Sequence, residues 1–201
     1  MAILRVPAAL LDFRRKSMQP LRFPVTVIMQ RTALESRWAD ERWDAVAVEL
    51  EDPTAPGPDR VPTRAADSSA TAVRWRCPGH EIELHPVEAE GYYLNLSARE
   101  PKVFVLWRMA DPGDATEDAT EDDAELRARP LIVTVSYHEA GRFLDVGEQV
   151  DAVPMPVALL KAMESFIAVH YRPEPRKKVK RNELYEGEDR RRGDPSGGHD
   201  R

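Results

Sequence analysis

One stretch near the end of the chain constrains the fold most. Gly147 to Pro175, GEQVDAVPMPVALLKAMESFIAVHYRPEP, holds a short alternating segment, a proline hinge and the only long amphipathic helix pattern. Pro156 suits a first helical turn, where its missing N–H costs nothing and its φ is already set. Val157, Leu160, Met163 and Ile167 recur at steps of three and four, ending at Tyr171, and Leu159 and Phe166 widen that stripe. His170 falls in the last turn, where a cation suits the helix dipole. Pro173 ends the pattern, because the residue before a proline avoids the α region. A helix of about 15 residues is marginal alone in water, so 156–171 must pack on something. The segments upstream are short and strand-like.

Leu21 to Gln30 alternates, with Leu21, Phe23, Val25, Val27 and Met29 on one face. Pro24 lacks a donor and favours an edge position for this strand. Thr32 to Glu35 fits a capping box and a turn of helix. Arg42 to Leu50 reads as a second strand. Ala72 to Cys77 and Glu81 to His85 read as two short strands around a Pro78-Gly79 turn. Gly91 to Leu96, Lys102 to Met109, Leu131 to Tyr137 and Gln149 to Val153 read as further strands. Residues 51–71 are rich in Pro, Asp, Ser and Ala and read as a loop. Residues 111–129 read as an inserted loop. Eight of the fifteen residues from Asp111 to Glu125 are acidic, and such a run repels itself and stays solvated.

Strands do not alternate with helices, so a parallel sheet is not expected. The reading is an α+β fold, mainly β: an antiparallel small barrel or two packed sheets closed by one C-terminal helix. Its element order, strands and then one helix, is like the pleckstrin-homology superfold. The domain organisation expected is a disordered leader at 1–20, a single β-rich domain at 21–172 and a disordered charged tail at 173–201. Met18 is an alternative start. The leader places its charges, Arg14, Arg15 and Lys16, after its apolar patch, the reverse of a secretory signal.

The chain carries 29 basic and 35 acidic residues, a formal net charge of −6, which argues against nucleic-acid binding by the molecule as a whole. Cys77 is the single cysteine. That excludes an internal disulfide framework and suits a reducing cytoplasm. It also rules out a four-cysteine cluster within one chain.

Candidate chemistry is sparse. Cys77, His80 and His85 lie close in sequence, but a structural zinc site needs about four ligands and no second pair is evident. Tyr137, His138 and Glu139 follow a strong strand, and a His–Glu pair can do general acid–base work. On a strand, however, adjacent side chains point to opposite faces. No nucleophile elbow or glycine-rich phosphate loop occurs. No cofactor is indicated. Trp38, Trp43, Trp75 and Trp107 are expected mostly in the core. Trp38, in a polar connector, is the best candidate to meet a partner, with Trp43 beside it. His170 and Tyr171 lead into the basic run Arg176, Lys177, Lys178, Lys180 and Arg181, which can meet an acidic protein, an anionic surface or nucleic acid.

Four stretches carry a family resemblance: VTVIMQRTALESRWADERWDAVAV, EGYYLNLSAREPKVFVLWRM, VTVSYHEAGRFLDVGEQVDAVPMP and FIAVHYRPEPRKKVKR. Together they resemble a mainly proteobacterial family, the domain of unknown function 3305, from about Val25 to Arg181. The resemblance implies no catalytic residues. Such proteins tend to be encoded near formate dehydrogenase-like molybdenum enzymes, their iron–sulfur proteins and their maturation chaperones. By association it implies an accessory or protein-interaction module whose partner is a subunit or maturation factor of a molybdenum redox enzyme.

Overall fold

A computed structural model describes residues 20–52, 61–69, 71–110 and 120–173. The expectations for the leader, for Met18 and for Arg176 to Arg181 lie outside these residues. The chain divides into two compact units at Tyr171/Arg172, and every described strand and helix belongs to the first.

Among the described residues, seven strands form two antiparallel sheets and no closed barrel. β1 (Leu21–Ala33), β2 (Glu41–Leu50), β3 (Thr63–Arg64) and β4 (Ala72–Leu84) make the larger sheet, in the order β2-β1-β4-β3. β5 (Lys102–Met109), β6 (Ala128–Thr134) and β7 (Gln149–Pro154) make the smaller, in the order β6-β5-β7. Four α-helices accompany them: α1 (Ala89–Leu96), entered through a 3-10 turn at Pro86–Glu88, then α2 (Glu121–Glu125), α3 (Tyr137–Asp145) and α4 (Val157–His170). Helices that interrupt the strands depart from the element order on which the pleckstrin-homology likeness rested.

The apolar faces of the sheets meet in one core. Val25, Val27 and Met29 of β1, Trp75, Ile82 and Leu84 of β4, and Val103 and Val105 of β5 are fully buried there. α4 closes it with Leu159, Met163 and Phe166. Its stripe is rotated from the sequence expectation: Leu160 and Ile167 are half-buried and Val157 is exposed. Burying each such side chain is worth about 1.5–3 kcal/mol, which offsets the weakness of an isolated helix. Asp151 ties the sheets together. Its Oδ2 accepts from Ala45 N of β2 at 2.7 Å and from the Trp107 indole Nε1 of β5 at 2.7 Å.

β1 is an interior strand, against the edge position that Pro24 suggested. The N–H and C=O of one residue point the same way in an antiparallel strand, and the Pro24 carbonyl accepts from Glu51 N. The missing donor therefore faces the β2 side, where that ladder has already ended at the Val25–Leu50 pair. Thr32 does not cap a helix; it stays in the sheet, opposite Arg42 and Ala72.

Three strands carry one extra residue each. Val46 is the extra residue in β2 and Leu131 in β6. In β4, Pro78 and Gly79 together oppose Thr26, with Gly79 at φ 84°. Pro78-Gly79 is thus a bulge inside one 13-residue strand, not a turn between two. The 51–71 stretch contains β3, which pairs with β4 at Thr63–Arg76 and Arg64–Trp75. The 111–129 stretch contains α2 and the start of β6.

One segment expected as a strand, Gly91–Leu96, is helical, and another, Leu131–Tyr137, is a strand only as far as Thr134. Ala89, Gly91, Tyr92 and Asn95 form the buried side of α1, a helical spacing that outweighs the strand preference of its two tyrosines. β6 ends at Thr134, and Tyr137 opens α3. Ser136, Tyr137, His138 and Glu139 are an S-x-x-E helix start: the Ser136 hydroxyl accepts from Glu139 N at 3.2 Å.

Candidate interaction surface

Trp38 sits at the tip of the β1–β2 hairpin. Ala33 pairs with Glu41, and Leu34 N donates to Asp40 O at 2.9 Å, which closes the loop. Within it, Trp38 N donates to the Ser36 hydroxyl at 3.2 Å. The Trp38 side chain is 83% exposed. The Arg37 guanidinium lies 4.8 Å from the centre of its ring.

The root of this hairpin is tightly held. Trp43 is 5% exposed, so it belongs to the core and is not open to a partner. Its ring packs 5.1 Å from that of Trp75, and its Nε1 donates to Glu41 Oε1 at 2.9 Å. Arg31 lies over both indoles, 6.0 and 5.6 Å from their centres. Glu41 also pairs with Arg31 at 3.9 Å and Arg127 at 3.4 Å. Aromatic packing and one shared carboxylate thus anchor the strands that carry the exposed tryptophan.

His170 and Tyr171 stand at the end of α4. His170 packs on the Phe166 ring at 4.3 Å, and Tyr171 stacks on Tyr93 of α1 at 4.7 Å. Both are half-buried. The Tyr171–Tyr93 stack helps dock α1 and α4, and Tyr93 and Leu94 leave apolar area exposed.

The remaining sequence candidates fall into structural roles. Cys77 is buried and carries no disulfide. The β4 bulge places Cys77 opposite Val27 and His80 opposite Val25, so the two share a face that simple alternation would have split. Burial lowers the His80 pKa below 6.5, with the Glu51 carboxylate working against it. His85 instead meets Glu83, Nε2 to Oε2, at 2.9 Å. Among the described residues, no three His, Cys, Asp or Glu side chains converge as metal ligands do.

Tyr137, His138 and Glu139 are on a helix, not on a strand with opposed faces. Tyr137 packs edge-on against Phe104, and His138 is exposed. Glu139 accepts from the Thr134 hydroxyl, and Thr134 Oγ1 in turn accepts from Ser136 N at 3.1 Å. The buried Ser136 hydroxyl donates to Glu88 Oε2 at 2.8 Å, and Arg142 donates to Glu88 Oε1 at 3.0 Å. Burial pushes the Glu88 carboxyl up, but the Ser136 and Arg142 bonds and the nearby positive charge outweigh it and hold it below 4.5. Gly91 of α1 packs so close to Ser136 Oγ that a Cβ would overlap it. Nearby, Tyr92 donates to Glu83 O and accepts from His85 N, and burial, aided by the Glu139, Glu88 and Glu83 carboxylates, pushes its phenol up to about 12. The network joins α1 to α3. Sequence reading missed it, although S-x-x-E was visible at Ser136.

A concavity of about 330 Å³ lies on the larger sheet, lined by Ile28, Val46, Ala47 and Ala65 with Glu49, Asp67, Arg74 and Arg76. Its charges are paired: Arg74–Asp67 at 2.5 Å and Arg76–Glu49 at 2.7 Å.

A family model described as a protein of unknown function, DUF3305, matches residues 24–180. The chain belongs to this family. The match takes in the hairpin, both sheets, α4 and the basic run as far as Lys180. No curated protein and no solved structure matches the chain. Among the described residues, no helix is long and apolar enough to cross a membrane.

Proposed function

We propose that this member of the DUF3305 family is a non-catalytic accessory module. It acts by binding a subunit or maturation factor of a formate dehydrogenase-like molybdenum enzyme. The observation that carries the interaction reading is the contrast between Trp38 and the other three tryptophans. Trp43, Trp75 and Trp107 are at most 5% exposed, whereas Trp38 is 83% exposed at a hairpin tip with a packed root. An exposed tryptophan on a well-held element supplies a large contact area with little ordering cost, and tryptophan is among the commonest binding hot spots. The choice of partner class rests on the genomic association that the family resemblance implies.

The test is recovery of the tagged full chain from its own organism, grown on formate, beside the Trp38→Ala form. The reading expects a molybdenum-enzyme subunit or chaperone with the native chain and its loss with the variant. Equal recovery with both forms would remove Trp38 as the contact. Recovery of no redox-enzyme component would remove the partner class.

A further inference from the structure

Arg37 stands apart from most of its kind. Arg22, Arg31, Arg42, Arg64, Arg74, Arg76, Arg108, Arg127 and Arg142 each have a carboxylate within 4.0 Å. Arg37 has none among the described residues; its guanidinium meets the Trp38 ring instead. Glu35 and Asp40 share its loop. The tip therefore presents a flat apolar ring under a guanidinium that has no carboxylate within 4.0 Å among the described residues.

This arrangement restricts what can cover Trp38. A surface that buries the indole takes water from the guanidinium stacked on it. A desolvated cation without a counter-charge is strongly disfavoured, enough to cancel what the buried ring contributes. A purely apolar pocket, or one rimmed by lysine or arginine, would bind poorly. Carboxylates supply the missing partner, and the planar guanidinium accepts them in a two-pronged bond.

We infer that the Arg37–Trp38 tip docks into an apolar recess on the partner protein that is rimmed by at least one carboxylate. Trp38 fills the recess and Arg37 pairs with its rim. The inference rests on the proposed interaction role and adds the chemistry of the opposing surface.

The test is titration of the purified full chain against the purified molybdenum-enzyme subunit or maturation factor recovered with it from the same organism, at two salt concentrations. Trp38→Ala, Arg37→Gln and Arg37→Glu are compared with the native chain. Both positions are exposed, so unchanged melting curves verify folding. The expected result is loss of binding with Trp38→Ala and a weakening of about tenfold or more with Arg37→Gln. Arg37→Glu weakens it further, and added salt weakens the native complex more than the Arg37→Gln one. If Trp38→Ala abolishes binding but Arg37→Glu binds like the native chain, the acidic rim is refuted while the interaction reading stands. If the native chain does not bind, or binds independently of Trp38, both fall. Tighter binding by Arg37→Glu would show a basic recess and overturn the inference.

Discussion

Replacing Asp151 tests how the two sheets are held together. One oxygen, Oδ2, accepts from both Ala45 N and Trp107 Nε1, each at 2.7 Å. Ala45 is 6% exposed and Trp107 is 2% exposed. Asp151→Ala leaves both donors without a partner, at about 1–3 kcal/mol each. The expected loss is therefore about 2–6 kcal/mol, a large share of a typical domain stability of about 5–15 kcal/mol. Asp151→Asn behaves differently, because its amide oxygen can occupy the same place and accept both bonds. It loses only the charge assistance, on the order of 1 kcal/mol. Urea unfolding followed by tryptophan fluorescence measures both. A cost below about 1 kcal/mol for Asp151→Ala, or equal costs for the two variants, would refute the shared-acceptor argument.

Gly91→Ala should destabilise the protein by about 1–3 kcal/mol through overlap with Ser136, although alanine is the better helix former by about 1 kcal/mol; thermal unfolding decides the sign. His80→Gln should flatten the pH dependence of stability. The folded pKa lies below 6.5, so the unfolded chain binds the extra proton and stability falls as pH drops below 6.5, with a slope of at most about 1.4 kcal/mol per unit. Denaturation midpoints between neutral pH and mild acid report the difference between the two chains. Glu88→Gln should remove a separate acid-sensitive part: the carboxyl is held below 4.5, so its contribution is present above 4.5 and is lost as pH falls through the lowered value. Trp38→Ala should change stability by less than about 0.5 kcal/mol, as at other exposed positions, measured in the same urea experiment.

The legible parts of this fold are those in which local pattern and tertiary demand agree. Val25, Val27 and Met29 alternate because one face of β1 meets the core, and Leu159, Met163 and Phe166 recur as a helix for the same reason. The mainly β architecture followed from such patterns, with two packed sheets as one of its two expected forms. The errors arose where a distant contact decides. Pro78-Gly79 is a turn pair locally, and only pairing of both flanks with β1 makes it a bulge. Pro24 looked like an edge residue because the sequence does not reveal where the β2 ladder stops. GYYLNL has strand-like tyrosines, yet Tyr92 and Asn95 are spaced for the helix that α4 and β5 require.

Of the candidate surface, Trp38 was legible because charged and polar neighbours surround it in the sequence. The core position of Trp43 was not, since it depends on Trp75 arriving from β4. The stacking of Arg37 on Trp38 was likewise invisible, because neighbouring residues in a loop have no fixed mutual orientation until the loop is closed.

The central claim is that the β1–β2 tip is where another protein sits. The most direct measurement places the photoreactive residue benzoylphenylalanine at position 38 and crosslinks it in living cells of the native organism. The same residue at position 164, exposed on α4, is the control. The account predicts an adduct at position 38, absent from the control, that contains a molybdenum-enzyme subunit or maturation factor linked beside an acidic side chain. Absence of any adduct at position 38, or the same adducts at both positions, would contradict it.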